Sequence, residues 1–296
     1  MRAFTLKSVI VLLAAALQSC GPAGQSGYHG GLLFGQGSYL MRFGLSDGSL
    51  SAIDNLGDKT IREISALGPD KLLIAETASV SSKKVARISW IDLQTGQSTV
   101  LYSGILARYL PGAGIIVYDD GRSLYAVPQL GSGTDEVILS HGPNQLTAML
   151  VVSEDVLLFE AGDTDRDVIH SWNAVSGELR PLDALTAACR LQGAVWIDTL
   201  ERLACRSRAA ARADGEYVLA GLDGVVDGKL NLSENKQFLA LAFISGQNAV
   251  ILKETRPGLF GGQAKSAVWA HDIHSGESRR LARNLNLGSS VVYVEF

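Results

Sequence analysis

Hydrophobic and polar residues follow a pattern along this chain that recurs six times. Each unit has a short apolar segment with an aromatic residue, a glycine-containing turn, a second short segment, a polar break and two almost continuous apolar segments. Runs such as Lys71–Ala75, Gly114–Tyr118 and Asp155–Phe159 are short, partly β-branched and bounded by turn residues, which is typical of strands buried on both faces. A helical bundle would need longer amphipathic stretches. The pattern predicts an all-β chain, with a helical segment only over Ser207–Asp214.

The turn glycines give the period of the repeat. Successive glycines are 48, 37, 44, 47 and 52 residues apart, at Gly48, Gly96, Gly133, Gly177, Gly224 and Gly276. A repeat of this length with four strands per unit is typical of β-propellers. We therefore predict a six-bladed β-propeller of four-stranded antiparallel blades.

One blade has to be assembled from both ends of the chain. Six outer hairpins are predicted, near residues 38–54, 86–102, 123–140, 168–183, 216–232 and 266–282. Only five inner strand pairs accompany them, near residues 60–77, 105–119, 144–161, 189–206 and 236–254. Val291–Phe296 supplies a further inner strand, and Gly31–Gly35 supplies the strand to pair with it. Pairing these two segments closes the ring and removes an open sheet edge.

The first residues have the order of a bacterial secretory signal. Arg2 and Lys7 precede the apolar run Val9–Leu17, which is too short to span a bilayer comfortably. The following Leu17-Gln18-Ser19-Cys20 resembles the lipobox of bacterial lipoproteins, in which the cysteine becomes the lipidated first residue after cleavage. An ordinary cleaved signal and a membrane-spanning helix are the alternatives.

The lipobox resemblance implies a division of the chain and a location. Residues 1–19 would be the lipoprotein signal, residues 20–29 a flexible tether rich in Gly, Pro and Ser, and residues 30–296 the propeller. Gly21, rather than Asp, follows Cys20, and among lipoprotein sorting signals this favours the outer membrane. The expected place is the cell envelope, with the protein lipid-anchored at the outer membrane and facing the periplasm.

Composition and charge narrow the choice of partners. The chain is 47% hydrophobic with 32 glycines, which suits many short buried strands joined by tight turns. Removal of residues 1–19 takes away Arg2 and Lys7, so that 24 basic residues stand against 30 acidic ones, a net charge of −6. This acidic excess argues against nucleic-acid binding.

One repeat carries a resemblance to a known family. Within Leu232–Phe243, Ser233, Lys236 and the run Leu241-Ala242-Phe243 are similar to the TolB-type repeat, Ser-Pro-Asp-Gly-Lys followed by Leu-Ala-Phe. Val268–Leu281 is similar to the hairpin that comes next in that repeat. The resemblance implies a six-bladed periplasmic propeller and transfers no functional residue.

Charged residues recur in register at one end of the inner strand pairs. First strands begin with a basic or polar residue, namely Arg62, Arg108, Gln145, Arg190, Lys236 and Ser290. Second strands end with an acidic one, namely Glu76, Asp119, Glu160 and Glu254. One interpretation is cross-strand ion pairing, with Arg62 opposite Glu76 and Arg108 near Asp119. The other is a polar funnel that holds a small anion or the carboxylates of a partner.

Candidate metal ligands are few. Asp163, Asp165 and Asp167 alternate as at the start of a calcium loop, but Val168 and Ala174 replace the glycine and glutamate that such a loop needs at positions 6 and 12. We therefore expect a solvated loop and predict no metal and no cofactor, with calcium as the alternative. The five histidines do not cluster, and we expect His271 and His274 on a surface turn.

Cys189 and Cys205 lie on the paired strands of one blade, in a compartment that permits disulfides. They would face each other if the hairpin centred on Ile197. A turn at residues 198–201 would instead separate them by about four residues, so the sequence leaves this disulfide open.

Three classes of function fit these observations. The first is a non-catalytic binding or scaffold lipoprotein with an envelope protein as partner. The second is an enzyme of the metal-dependent lactonase or sugar-dehydrogenase kind, for which Glu76, Asp119, Asn144 and Glu160 would have to supply the ligands. The third is a sensor or carrier of a small anion. The same fold supports all three, and no catalytic constellation is visible.

Overall fold

The fold is that of a ring of six antiparallel sheets. The computed structural model describes residues 27–80, 83–128, 135–142, 146–162, 167–209, 216–233, 236–256, 265–285, 287 and 290–295. Each sheet has four strands in sequential order, and the predicted six-bladed β-propeller is confirmed. The first strand of each blade is called here the inner strand and the fourth the outer strand.

Blades I to III contain the following strands. Blade I has β24 (Val291–Val294), β1 (Gly31–Gln36), β2 (Tyr39–Gly44) and β3 (Leu50–Asn55). Blade II has β4 (Thr60–Gly68), β5 (Lys71–Val80), β6 (Lys83–Asp92) and β7 (Ser98–Tyr102). Blade III has β8 (Leu106–Leu110), β9 (Ile115–Asp119), β10 (Ser123–Pro128) and β11 (Glu136–Ser140).

Blades IV to VI complete the ring. Blade IV has β12 (Leu146–Val151), β13 (Val156–Gly162), β14 (Asp167–Asn173) and β15 (Leu179–Pro181). Blade V has β16 (Cys189–Ile197), β17 (Arg202–Ser207), β18 (Tyr217–Ala220) and β19 (Val226–Lys229). Blade VI has β20 (Gln237–Ile244), β21 (Ala249–Arg256), β22 (Lys265–Asp272) and β23 (Ser278–Arg283).

The ring closes where the two ends of the chain pair, as predicted. β24 lies antiparallel to β1, with Phe34 opposite Val291 and Leu32 opposite Tyr293. The chain enters β1 through Gly30, which has a φ of +76°, and a Cβ at this position would stand 2.5 Å from the carbonyl oxygen of Val294. Only glycine fits this entry, because a side chain would collide with the closing strand.

The hydrophobic core is divided among the junctions between blades. Six clusters of buried side chains are present, and each is built from two neighbouring blades. At the junction of blades III and IV, for example, Leu110 and Val117 pack with Phe159 and Trp172. Each blade is therefore stabilised by the two beside it, as expected for stacked repeats.

Polar bonds also join each blade to the next at the inner strands. An inner strand has a strand neighbour on one side only, so its other edge needs partners for its N–H and C=O groups. Side chains of the adjoining blade supply them. The bonds, in order around the ring, are Ile64 N–H to Ser290 Oγ (2.8 Å), Ser65 Oγ to Ala107 O (3.1 Å), Arg108 Nε to Met149 O (3.2 Å), Leu191 N–H to Glu160 Oε2 (3.0 Å), Arg206 Nη2 to Phe238 O (2.6 Å) and Lys253 Nζ to Leu287 O (2.5 Å).

A short helix was not expected from the sequence. After the three-residue strand β15, helix α1 (Asp183–Ala188) buries Leu185, and the N–H of Ile169 donates to Thr186 Oγ1 at 2.9 Å. The outer strand of blade IV was predicted to reach residue 183, but it ends at Pro181 and this helix follows it. The predicted helix over 207–214 begins at Ser207, which ends β17, and its residues 210–214 lie outside the described residues. No helix in the described ranges is long and apolar enough to cross a membrane.

Cys189 and Cys205 form a disulfide, with their Cα atoms 5.7 Å apart. The turn does lie at residues 198–201, because Ile197 pairs with Arg202. A bulge after Arg190 then shifts the register by three residues, so that Cys189 pairs with Ser207. This shift brings the two cysteines within reach of each other, which simple hairpin counting did not foresee.

We predict that Tyr217→Phe destabilises the propeller by about 1–3 kcal/mol. The hydroxyl of Tyr217 donates to Gly193 O at 2.9 Å and accepts the N–H of Ala240 at 2.8 Å, and so joins blades V and VI. The variant leaves both buried backbone groups without this partner. Urea unfolding measures the loss, and Tyr39→Phe is the control because Tyr39 is 42% exposed on blade I. Equal midpoints for the two variants would contradict the prediction.

Candidate functional site

The two faces of the ring differ in the connections they carry. Because neighbouring strands are antiparallel, the turns inside the inner and outer hairpins share one face, called here the turn face. The loops between second and third strands and the links from blade to blade share the opposite face, called here the mouth face. The inner strands begin at the mouth face, where the sequence predicted a polar funnel.

The turn face is acidic. In the described residues of its turns no Lys or Arg occurs. The same turns carry ten acidic residues, namely Asp47, Asp70, Asp135, Glu154, Asp155, Glu178, Asp198, Glu201, Asp223 and Glu277. Cations also lie at the strand ends beside these turns, among them Lys71, Arg202 and Arg279, so the face has an excess of acidic charge rather than charge of one sign.

Four buried carboxylates lie on the second strands near the mouth face. Glu76, Asp119, Glu160 and Glu254 are between 0 and 3% exposed. Each has a partner inside the fold, because an isolated buried charge is costly. The contacts are Glu76 with Lys59 Nζ (3.1 Å) and Ser89 Oγ (3.0 Å), Asp119 with His141 Nε2 (3.2 Å), Glu160 with Arg208 and the N–H of Leu191 (3.0 Å), and Glu254 with Trp269 Nε1 (2.7 Å) and Lys236 Nζ (3.9 Å).

The two ion pairs predicted from hairpin counting are wrong. A bulge between Ile61 and Glu63 places Ile61 opposite Glu76, and Arg62 Nε donates instead to Thr77 Oγ1 at 3.2 Å. Arg108 lies opposite Val117 rather than Asp119. Its guanidinium pairs with Glu63 of the neighbouring blade and also bonds the carbonyl of Met149. Arg108 is thus a structural residue between blades II, III and IV.

Asp119 and His141 form a buried pair at the mouth face. Nδ1 of His141 lies 2.8 Å from Gly142 O, and since a carbonyl only accepts hydrogen bonds, Nδ1 carries the proton. Nε2 contacts Asp119 Oδ1 at 3.2 Å, and that carboxylate also accepts the N–H of Gly121 at 2.7 Å. Burial raises the pKa of Asp119 above its ordinary value. Both ring nitrogens of His141 are engaged, so neither is placed to activate a nucleophile.

Two of the predicted rim residues are exposed at the mouth. Arg62 on β4 and Arg190 on β16 belong to blades II and V, which are opposite in a ring of six. Thr147 and Gln237, also exposed, stand on the inner strands beside blade V. Lys236, another predicted rim residue, is half-buried, and its ammonium packs against Trp269, 3.9 Å from the ring centre. Gln145 and Asn144 lie outside the described residues, as does Cys20.

Of the two histidines expected on a surface turn, His271 is buried and His274 is exposed. His271 is 2% exposed on β22, and its Nδ1 lies 2.8 Å from Ser278 Oγ, whereas His274 is exposed as expected. His170 stacks on Phe159 with ring centres 5.2 Å apart. Burial lowers the pKa of both His170 and His271 below the ordinary value of 6.5. These two side chains are therefore neutral near pH 7, with His271 buried and His170 half-buried.

The described residues supply no set of ligands for the calcium site considered as an alternative. Asp163 and Asp165 lie outside the described residues, and Asp167 begins β14 as an exposed side chain. Among the residues that the structure describes, no group of three or more His, Cys, Asp or Glu could hold a metal ion. The expectation of no cofactor stays a prediction.

A cavity lies on the turn face where the chain enters the propeller. The side-chain amide of Gln247 accepts the N–H of His29 at 2.8 Å and donates to His29 O at 3.1 Å and to Tyr293 Oη at 3.0 Å. The cavity beside this clamp has a volume of about 380 Å³ and is lined by Gly27, Tyr28, Gln247, Asp272, Ser275, Glu277 and Arg279. We call it the entry cavity.

This chain is similar to known proteins in its structure and not in its sequence. No protein-family model matches the sequence, and no curated protein matches it. A chain of a nidogen/laminin complex superposes with a TM-score of 0.65 at 12% identity, over 89% of this chain and 98% of that one. TolB from Acinetobacter baumannii gives 0.60 at 12% identity, over 96% of this chain and 69% of that one. The chain has the fold of the TolB-like six-bladed β-propellers.

The same fold also occurs within an enzyme. A puromycin-hydrolyzing peptidase from Mycobacterium tuberculosis superposes with a TM-score of 0.56 at 14% identity. The match covers 84% of this chain but 42% of the peptidase chain. Likeness at this level of identity is a likeness of fold, and the chemistry must be argued from the residues of this chain.

The sequence did not identify the partners of the buried carboxylates. Lys59, His141 and Arg208 lie in links and loops outside the inner strand pairs, and no periodic signal marks them. The entry cavity was missed because residues far apart in the chain, Tyr28, Gln247 and Arg279, meet only when the ring closes. Ring closure was predicted, but the side chains at its junction were not.

We predict that stability falls as the pH drops below 6.5. The unfolded chain gains protons on its histidines near that pH, whereas burial holds the folded pKa of His170 and His271 lower, so protonation favours unfolding through the window below 6.5. His271→Gln should show a smaller fall of the urea midpoint between pH 7.5 and pH 5.5, a window about one pH unit on either side of 6.5. His274→Gln, exposed on the adjoining turn, should fall as the wild type does. An unchanged pH slope in His271→Gln would refute the assignment.

Proposed function

We propose that this chain is a lipid-anchored protein of the bacterial envelope that binds another envelope protein at its mouth face and catalyses no reaction. The lipobox-like sequence ending at Cys20 supports the anchor, and Gly21 after it supports the outer membrane, facing the periplasm. The fold supplies a rigid platform, because each blade is packed and bonded to both neighbours.

One observation carries this proposal: the chain enters the ring at the turn face. Gly31, the first residue of β1, is paired with Val294, where the inner strand β24 ends. Seven residue steps separate Cys20 from Gly27, so the lipid would lie within about 25 Å of Gly27 even at full extension. A lipid on Cys20 would therefore hold the turn face toward the membrane and leave the mouth face open to a partner.

The chemistry of the mouth indicates what kind of partner fits. The four buried carboxylates contact partners inside the fold, and Arg62 and Arg190 are exposed on opposite sides of the channel. Guanidinium groups pair with carboxylates in a planar, bidentate geometry. A partner that presents acidic side chains at the mouth would be matched by these two groups.

The protein partner has some support in the comparisons. One of the structures with this fold is found in a nidogen/laminin complex, which is an assembly of proteins. This likeness of fold alone names no partner for the present chain. The two exposed arginines also suit a small anion, and a sensor or carrier of such an anion is the second candidate.

The enzyme alternative has less support from the geometry. Glu76, Asp119 and Glu160, three of its four required ligands, are buried, and each contacts a cationic side chain, a histidine or a backbone N–H within the fold. A metal at the mouth would have to compete with these contacts. The fourth residue, Asn144, lies outside the described residues.

Partner binding can be tested by crosslinking in intact cells. We predict that Arg62→Glu combined with Arg190→Glu abolishes the crosslinked envelope partner, because the change replaces attraction with repulsion. Arg180→Glu is the matched control, since Arg180 is an exposed arginine on the outer strand of blade IV, next to the turn face. Urea midpoints show whether both variants fold. Retention of the crosslink in the double variant, or its loss in the control, would rule out the mouth as the binding surface.

Lipidation can be tested independently by intact mass. We predict that protein extracted from the envelope begins at Cys20 and carries the added mass of acyl chains, because the lipobox directs cleavage before the modified cysteine. Cys20→Ala should lack this mass and leave the membrane fraction or retain residues 1–19. An unmodified wild-type chain starting elsewhere would disprove the anchor.

A further inference from the structure

The entry cavity is large enough and sufficiently preorganised to hold a small ligand. Its volume of about 380 Å³ falls within the range of about 300–1,000 Å³ that is usual for small-molecule sites. One wall is fixed, because Gln247 bonds both backbone groups of His29 and the hydroxyl of Tyr293. A fixed wall reduces the ordering cost of binding.

Charges of both signs face this cavity. Asp272 and Glu277 raise the pKa of Tyr28, Arg279 lowers it, and burial contributes the largest increase. All three charged groups therefore act on one phenol that lines the cavity. A ligand that carries a positive and a negative group satisfies this arrangement better than a simple anion or cation does.

The acceptors in the cavity have defined positions. Asp272 accepts the N–H groups of His274 at 2.9 Å and Ser275 at 2.7 Å, and both bonds end on Oδ1. The second oxygen, Oδ2, can accept a hydrogen bond from a ligand ammonium, as can the carboxylate of Glu277. Arg279 follows in the same hairpin, at the second position of β23, and its guanidinium suits a phosphate.

The position of the cavity indicates where such a ligand would come from. It opens on the turn face beside Gly27, the face that a lipid on Cys20 would hold at the membrane. The turns of this face are acidic and, in their described residues, contain no Lys or Arg, although Lys71, Arg202 and Arg279 lie at the adjoining strand ends; this acidic excess disfavours anionic lipids. A zwitterionic lipid meets no such repulsion, and its ammonium is attracted.

We propose that the entry cavity binds the phosphoethanolamine headgroup of a membrane phospholipid. Asp272 and Glu277 receive the ammonium, and Arg279 binds the phosphate. This inference rests on the proposed lipid anchor for its source of ligand, since the anchor brings the turn face to the bilayer. The headgroup contact would then fix the orientation of the ring above the membrane, in addition to the tether.

The test uses the purified mature chain in a non-ionic detergent, with soluble headgroups as probes. Glycerophosphoethanolamine should raise the thermal midpoint by about 2–4 °C at saturation. Glycerophosphocholine should raise it less, because a trimethylammonium group donates no hydrogen bond to Asp272 or Glu277. Inorganic phosphate should leave it unchanged. An equal response to phosphate alone would show a simple anion site and overturn the proposal, as would the absence of any response to glycerophosphoethanolamine.

Variants locate the response. Arg279→Gln and Glu277→Gln should each abolish it, while Arg283→Gln, an exposed arginine on the same strand, should keep it. Loss in Arg283→Gln, or retention in Arg279→Gln, places the effect outside the cavity and refutes the proposal. In bilayers reconstituted with phosphatidylethanolamine, hydrogen exchange of residues 272–279 should slow relative to bilayers of phosphatidylcholine alone.

The two proposals fail in different ways. The soluble-headgroup titration does not require a lipid on Cys20. An unmodified Cys20 in protein extracted from the envelope, together with a positive titration, would refute the anchor and leave the cavity assignment standing. A lipidated chain with no response to the headgroup would refute the cavity assignment alone. An equal rate of exchange in both bilayers, despite a positive titration, would exclude the membrane as the source of the headgroup.

Discussion

The ring depends on satisfying the backbone groups of its six inner strands. Each inner strand has a strand partner on one side only, and at every junction a side chain of the adjoining blade bonds one of its N–H or C=O groups, or those of the segment leading into β24. Buried groups left without partners would each cost about 1–3 kcal/mol. Arg108, Glu160 and Arg206 supply such bonds between neighbouring blades.

This constraint changes how the charged residues near the mouth are interpreted. Carboxylates at the ends of second strands resemble a ligand set when they are viewed along the sequence, but in space they contact lysine, histidine and arginine side chains of the links and loops. Among the described residues, two exposed arginines lie on opposite sides of the mouth face, and charged side chains of both signs line the entry cavity at the turn face. The functions that we propose rest on these two surfaces.

The fold could be predicted from the sequence because its signals are local. Turn glycines, short β-branched runs and the unpaired strands at the two ends require no knowledge of distant contacts. The side-chain partners were less predictable, because bulges change which residues lie opposite each other. The bulge between Ile61 and Glu63 removes the pairing expected from the hairpin, and the bulge after Arg190 brings Cys189 to Cys205. Contacts between blades, such as that of Arg108 with Glu63, depend on how the blades pack and leave no spacing in the sequence.

The pairing of β1 with both β24 and β2 has a mechanical consequence. A partner held at one face and an anchor attached ahead of Gly30 would pull β1 along its own axis. The hydrogen bonds to both neighbours then carry the load together, in shear, instead of opening one after another as in a peeled hairpin. The strand through which the chain enters the ring is thereby held on both sides against tension.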